Sequence, residues 1–230
     1  MKQISLIIPT YNEARNLRIL VDEIFSSIDK EQIDLEIIFV DDNSPDGTGD
    51  IAEQLTKEYQ IKAIHRSRKL GLGSAVVEGF KLCNRPYVGV MDADLSHDPT
   101  VLNELINWLD KYDLAIASRF AEGSQVVNWS YWRKFLSKVG VYLCQKITGV
   151  KDPLSGYFFL KREVIDGINL KTKGYKILFE ILVKGRYKKV KELSFQFRQR
   201  KYNSSKLNYK EFILFLGQIV SYSYYKIVKK

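Results

Sequence analysis

Cysteine is nearly missing from this 230-residue chain: Cys83 and Cys144 stand alone, with no Cys-x-x-Cys spacing and no histidine cluster near either. That excludes a disulfide-stapled scaffold and suits a reduced compartment. Histidine is equally scarce, with only His65 and His97, and local hydrogen-bonding roles are expected for both. Long apolar runs are missing too. The first, Ile4 to Ile8, is broken by Pro9, too short for a secretory leader or a membrane span and suited to a buried strand. The last, Phe212 to Val228, is interrupted by Gln218, two serines and three tyrosines and leads into Lys229 and Lys230, so it suits lying on a membrane better than crossing one. Acidic residues all but vanish from the end: from Lys184 to Lys230 there are thirteen Lys and Arg against two acids, a local net charge of +11. The whole chain carries +9, which leaves −2 for the first 183 residues. A near-neutral body with a basic end points to an anionic partner: nucleic acid, a membrane surface or a phosphorylated substrate.

What is present is enough apolar material, 45% against 27% charged, to bury the core of one large domain. Short β-rich runs (Ile4–Ile8, Glu36–Val40, Ala63–Ile64, Tyr87–Met91) alternate with segments of helical spacing (Glu13–Ile28, Gly49–Tyr59, Ser74–Leu82). This order predicts an α/β fold: a mostly parallel sheet with helices on both faces, and ligands at the carboxyl ends of the strands. A strand over Asp113–Ser118, a helix from about Ser130 to Thr148 and a strand over Tyr157–Lys161 follow, then the basic region. The division expected is a catalytic domain over residues 1–208 and an amphipathic, membrane-associated helix over 209–230.

Polar residues gather where the strands end: Pro9-Thr10-Tyr11-Asn12-Glu13, Asp41 to Thr48 and Asp92 to Pro99. Helix capping accounts for one acceptor per helix, but Asp41 with Asp42 and Asp92 with Asp94 are paired carboxylates, and like charges at one sheet edge call for a cation. On extended backbone, residues i and i+2 point the same way, so Asp92 and Asp94 can face one Mg²⁺ or Mn²⁺ ion shared with phosphate oxygens. Gly71-Leu72-Gly73-Ser74-Ala75 lacks the rest of any nucleotide-loop fingerprint and reads as a tight helix entry.

The segments PTYNE (9–13), VDDNSPDGT (40–48), GLGSA (71–75), MDADLSHDP (91–99), SRF (118–120), DPLSGYFFLKRE (152–163), GYKILFEIL (174–182) and RKYNSSKL (200–207) run in one order over about nine-tenths of the chain. In that order the chain resembles the inverting family 2 glycosyltransferases of the GT-A fold, and within them the dolichyl-phosphate (polyprenyl-phosphate) mannosyltransferases. The resemblance implies that Pro9, Tyr11, Glu13, Val40 and Asp42 hold the guanosine of GDP-mannose. It implies that Asp92 and Asp94, with the Ala93 backbone, hold the diphosphate through the metal. Ser96 stands where many relatives have Gln and would be a weak third metal ligand. Arg119, Arg133 and Ser137 match residues that grip the acceptor phosphate, with Arg119 also on the donor side, and Arg200 and Lys206 match residues that fold over the donor phosphates. Asp94, Arg119, Arg133 and Ser137 are the residues expected to carry catalysis; Glu180 is given a structural place.

The reaction so implied joins C1 of mannose to a polyprenyl phosphate oxygen. Such an acceptor needs no general base, because its second pKa is about 6 and it arrives anionic. The alternative within the family is a polyprenyl-phosphate glucosyltransferase using UDP-glucose. Nucleic acid is set aside as a partner, since no recognised module is present. Relatives carry either fused membrane helices or a separate small anchor subunit, and the chain shows no fused span. Peripheral attachment on the cytoplasmic side of a membrane is therefore expected, with Lys184 to Lys191, Lys226, Lys229, Lys230 and the late tyrosines facing anionic lipid.

Overall fold

The computed structural model describes residues 1–123, 125–126, 131–171, 176–198 and 209–228; for 125–126, 131–139, 209–214, 216 and 227–228 the backbone alone is described. The chain runs β1 (Lys2–Thr10), α1 (Ala14–Ser27), β2 (Ile33–Asp41), α2 (Thr48–Leu55), β3 (Ile61–His65), α3 (Leu72–Leu82), β4 (Tyr87–Val90), α4 (Leu102–Trp108) and β5 (Leu114–Ser118). It continues with β6 (Gln125–Val126), α5 (Tyr131–Thr148), β7 (Phe158–Lys161), α6 (Ile177–Lys184), β8 (Val190–Ser194), β9 (Gln196–Phe197) and α7 (Tyr209–Val228).

Seven strands form one sheet in the order β3-β2-β1-β4-β7-β5-β8. The period-2 alternation of β1 and β2 divides two cores. Ile4, Leu6 and Ile8 with Leu35, Ile37 and Phe39 face α1, α2 and α4, whereas Ile7, Ile38 and Val40 face α3 and α6. Neither face of these strands meets water, which is why they read as continuous apolar runs. A third cluster joins α5, α6 and α7 through Val141, Cys144, Phe179, Phe215, Ile219 and Tyr222. Burial pushes the Cys83 thiol up to about 11 and that of Cys144 up to about 12, so neither is a reactive thiolate near neutral pH.

All neighbouring pairs in this sheet are parallel except those of β7, which runs against both β4 and β5. The consequence is positional. The edge that receives the ends of β1, β2, β4 and β5 also receives the segment that enters β7, residues 152–157. The switch in strand order between β1 and β4 opens the crevice expected of such a sheet at the same edge. Helix α4, strand β8 at the lateral end of the sheet and strand β9, which pairs with β6 in a separate two-stranded sheet, are absent from the sequence-based expectation.

Candidate active site

At the β1 and β2 ends, the acidic residues hold the loops in shape. Asp41 accepts from Thr10 Oγ1 at 2.9 Å, Ser44 N at 2.9 Å and Ser44 Oγ at 2.5 Å. Asp42 accepts from Arg66 Nη1 at 2.8 Å and from the amides of Leu70 at 2.8 Å and Gly71 at 2.7 Å. Asp42 thus has a cation from within the chain, Arg66, while Asp41 is satisfied by hydroxyl and amide donors. Gly71 sits at φ +96°, a conformation that glycine adopts without strain, and opens α3 as the tight entry expected of GLGSA. Pro9 and Val40 lie opposite each other in the β1–β2 register and are buried. Lys69 Nζ stands 3.7 Å from the centroid of the Tyr11 ring, a cation–π contact that joins the 66–71 loop to the first one. Glu13 accepts from Asn16 Nδ2 at 2.6 Å while its amide donates to Thr48 Oγ1 at 2.8 Å. The five residues expected around the nucleoside therefore lie at the adjoining ends of β1 and β2 and on the loops that follow them, with the 66–71 loop beside them.

The turn after β4 carries Asp92 and Asp94. Leu95, between Asp94 and Ser96, has φ +63°, an uncommon backbone state for a leucine, and its side chain is buried in the core. Ser96 donates to Asp94 Oδ1 from its amide at 3.0 Å and from its hydroxyl at 2.5 Å, so this hydroxyl orients the acid. The Asp92 amide donates to His97 Nδ1 at 3.1 Å, which places the proton of a neutral ring on Nε2, 3.7 Å from Asp92 Oδ2. The His97 ring stacks on Tyr157 at 5.0 Å and meets the edges of Phe195 and Phe197 at 5.9 Å. His65, the other histidine, bonds to Glu53 at 2.7 Å, so both have the local roles expected. A side chain at position 156 would place its Cβ 2.9–3.0 Å from the Asp92 carboxylate oxygens; glycine there makes the approach possible.

Two hard carboxylates at i and i+2, one oriented by Ser96 and one against Gly156, fit a divalent ion that takes few protein ligands. Such an ion completes its shell with phosphate and water. Among the described residues no group of three or more His, Cys, Asp or Glu is arranged as a full protein cage.

Beyond β4 the site becomes cationic. Arg119, at the end of β5, donates to Asp152 through Nε at 2.9 Å and Nη2 at 2.8 Å, and its amide adds a third bond at 2.9 Å. Asp152 is fully buried and only 12% of the Arg119 side chain is exposed, so this pair is fixed in a dry setting. Burial works to raise the Asp152 carboxyl, but the bonds and charge of Arg119 outweigh it and hold the group below its ordinary range. The amides of Lys151 and Asp152 are in turn held by Glu192 of β8, each at 2.8 Å. Lys176, just before α6, lies with its Nζ 3.5 Å from the Leu154 carbonyl. Burial and then the charge of Arg119 push its ammonium down to about 8, against the pull of Asp92 and Asp152.

Arg133 and Ser137 fall one turn apart on α5, in the stretch described by backbone alone; Arg200 and Lys206 lie outside the described residues. Glu180 is buried and structural, accepting from Lys184 Nζ and from the Lys171 amide. Sequence reasoning did not single out Arg66, Asp152, Gly156 or Lys176. The last three sit inside the segments DPLSGYFFLKRE and GYKILFEIL, so a motif marked them without saying what they do.

The profile of glycosyl transferase family 2 matches residues 5–168. A dolichol-phosphate mannosyltransferase of Pyrococcus furiosus is 44% identical over 224 residues, covering 94% of this chain and 62% of that protein. The chain thus spans somewhat under two thirds of that relative's length. A dolichol-phosphate mannosyltransferase of Saccharomyces cerevisiae is 31% identical over 226 residues, covering 94% of this chain and 85% of that protein. Among solved structures, a mannosyltransferase from Pyrobaculum calidifontis, determined with GDP-Man and Mn²⁺, superposes with a TM-score of 0.65 at 16% identity, over 99% of this chain and 64% of that one. The sheet order and this likeness make the fold GT-A. With the profile spanning most of the chain and the yeast relative covered over most of its length, the chain belongs to glycosyl transferase family 2.

Proposed function

We propose that the chain transfers mannose from GDP-mannose to the phosphate of a dolichyl or other polyprenyl phosphate, with inversion at C1. The observation that carries this reading is the layout of one sheet edge: nucleoside-side loops, then the Asp92/Asp94 turn, then the Arg119–Asp152–Lys176 cluster, with no histidine facing the crossing point. Of the two imidazoles, His97 is buried behind Asp92 and His65 is bonded to Glu53. An acceptor hydroxyl would want a base near neutral pH, whereas a phosphate monoester brings its own charge. Its oxygen forms the bond to C1 as the bond from C1 to the β-phosphate oxygen breaks, and GDP leaves.

Each residue then has a task in terms of charge. Asp92 and Asp94 would hold the divalent ion, which when bound would supply charge stabilisation for the departing diphosphate. Ser96 and His97 fix the two acids in advance. Asp152 aims the Arg119 guanidinium, which with Arg133 and Ser137 of α5 brings the acceptor anion against the donor despite their mutual repulsion. Arg200 and Lys206 are assigned to the donor phosphates. The identity to two dolichol-phosphate mannosyltransferases supports mannose and a polyprenyl acceptor over glucose.

The test is incubation with labelled GDP-mannose, Mn²⁺ or Mg²⁺ and liposomes holding a polyprenyl phosphate. The expected result is label in the organic phase that mild acid releases as mannose. Label that moves only from UDP-glucose, or only to a water-soluble acceptor, overturns the reading.

The same proposal includes a membrane-facing surface. No helix among the described residues is long and apolar enough to cross a membrane. Helix α7 buries Phe215, Ile219 and Tyr222 but leaves Val220 and Tyr224, one turn apart, about 70% exposed, and α5 adds Tyr142 and Leu143. The basic residues contribute less than the sequence suggested, because three are committed within the molecule. Lys184 is bonded to Glu180, Lys226 to the Ile147 carbonyl, and Lys191 lies 4.2 Å over the Trp108 ring. The apolar face of α7 is therefore assigned the larger share of attachment. Val220→Glu with Tyr224→Glu is expected to cut sedimentation with anionic liposomes by about tenfold or more, from the apolar area withdrawn. Undiminished binding would remove α7 from the attachment surface.

A further inference from the structure

We propose that Lys176 is a further phosphate-binding residue of this site, and that the anion it meets is the acceptor's monoester and not the sugar nucleotide. The inference rests on the transfer reaction proposed above and adds a residue to its acceptor half.

Position is the first reason. The nucleoside-side loops follow β1 and β2, on one flank of β4, whereas Lys176 sits with the ends of β5 and β7, on the other. Its Nζ lies at the Leu154 carbonyl. Leu154 is midway along a short loop whose Asp152 fixes Arg119 and whose Gly156 lies against the Asp92 carboxylate. The ammonium is thus held between the guanidinium expected to meet the acceptor and the acid expected to hold the metal. Lys176 also leads directly into α6, which packs on α5, the helix of Arg133 and Ser137.

Charge is the second reason. Arg119 turns its Nε and Nη2 edge fully onto Asp152, so the geometry of that acid is spent on aiming Arg119. A second cation brought next to this pair, out of bulk water, costs stability through desolvation and through repulsion by Arg119. Burial and the charge of Arg119 are also what lower the Lys176 pKa, against the pull of Asp92 and Asp152. A dianion arriving between the two cations offsets their repulsion, the arrangement that suits a site for a phosphate monoester. A lysine suits the role because it is a compact point charge with rotatable donors, whereas the bidentate guanidinium is already oriented by Asp152.

The test uses the full chain with Lys176→Met and Lys176→Gln, each checked for its unfolding midpoint, and a short-chain prenyl monophosphate as acceptor. Loss of a hydrogen bond to a charged group is expected to raise the KM for this acceptor by about 10- to 100-fold. The Kd for GDP-mannose with metal stays within about twofold of the unsubstituted protein, and Lys176→Arg recovers part of the loss. Direct binding of the prenyl monophosphate, by calorimetry without donor, is expected to weaken in step. An unchanged acceptor KM and Kd, or an equal loss of GDP-mannose binding, overturns the assignment. If the unsubstituted protein binds the prenyl phosphate through Lys176 yet transfers no mannose to it, the proposed reaction fails and the phosphate site stands. If it does not bind the monophosphate at all, the assignment of Lys176 falls.

Discussion

Replacing Asp94 by Asn is expected to lower mannose transfer by about 10²–10³-fold at saturating Mn²⁺, the loss typical of removing one group that stabilises charge in the transition state. Fold stability is expected to change little, because the substitution keeps the local geometry. The Ser96 amide and hydroxyl both donate to Asp94 Oδ1, and an amide oxygen in that place still accepts from them. What disappears is the negative charge presented to the metal. Two measurements separate these effects: turnover as a function of Mn²⁺ concentration, and the denaturant midpoint. Turnover within tenfold of the unsubstituted protein at every metal concentration would dismiss Asp94 as a metal ligand. A collapse of the midpoint would show instead that Asp94 is chiefly a brace for the turn.

Asp152→Ala is expected to be the most destabilising single change in the site, costing about 3–5 kcal/mol, because it leaves a charged guanidinium buried without its acid. Three bonds from Arg119 end on this one carboxylate, and neither side chain has appreciable access to water. The measurement is equilibrium unfolding in urea, with the double substitution Arg119→Met, Asp152→Leu as the control. Removing both charges is expected to recover most of the loss, as is common when a buried pair is exchanged for apolar groups. Activity is expected to be lost in both proteins. Equal destabilisation of the single and double variants would mean that the pair contributes packing and little electrostatics. The pH dependence has a definite sign. The Asp152 pKa is depressed in the folded protein, so its contribution is complete above the ordinary carboxylate range and is lost as pH falls through the folded value. The stability of Asp152→Ala is therefore expected to depend less steeply on acid than that of the unsubstituted protein.

The parts of the fold that were legible in the sequence share a property: their signal is local. Strands β1, β2 and β4 are contiguous apolar runs, and the polar groups that follow each of them are visible as short words. Helix α4, only seven residues long, gives too few turns for a period to show. Strand β8 lies at the sheet edge, mostly half-exposed, with charged residues in its run, so it was absorbed into the basic region. The site divides the same way. Asp92 and Asp94 announce themselves by spacing, whereas the Asp152–Arg119 pair joins residues far apart in the chain. Asp152 also precedes the one reversed strand of the sheet, whereas the polar words that mark the site in the sequence follow strands. Asp42 does meet a cation, but its partner Arg66 lies 24 residues on, and nothing local to the Asp41-Asp42 pair marks it. Counting charges overstated the basic end for a related reason: whether a lysine faces solvent or a neighbouring carbonyl depends on packing that composition does not contain.

The reversal of β7 has a bearing on how such an enzyme diversifies. It separates the nucleoside-side loops and the Asp92/Asp94 turn, on segments before residue 100, from the groups assigned to the acceptor, on segments after 113, with β7 as the seam in the sheet between them. Selection can then alter the second set while leaving the first untouched, since function resides in the loops and not in the sheet that carries them. For engineering, the division marks a place to recombine: a chimera joined between α4 and β5 keeps one nucleoside side and metal turn and inherits another acceptor side.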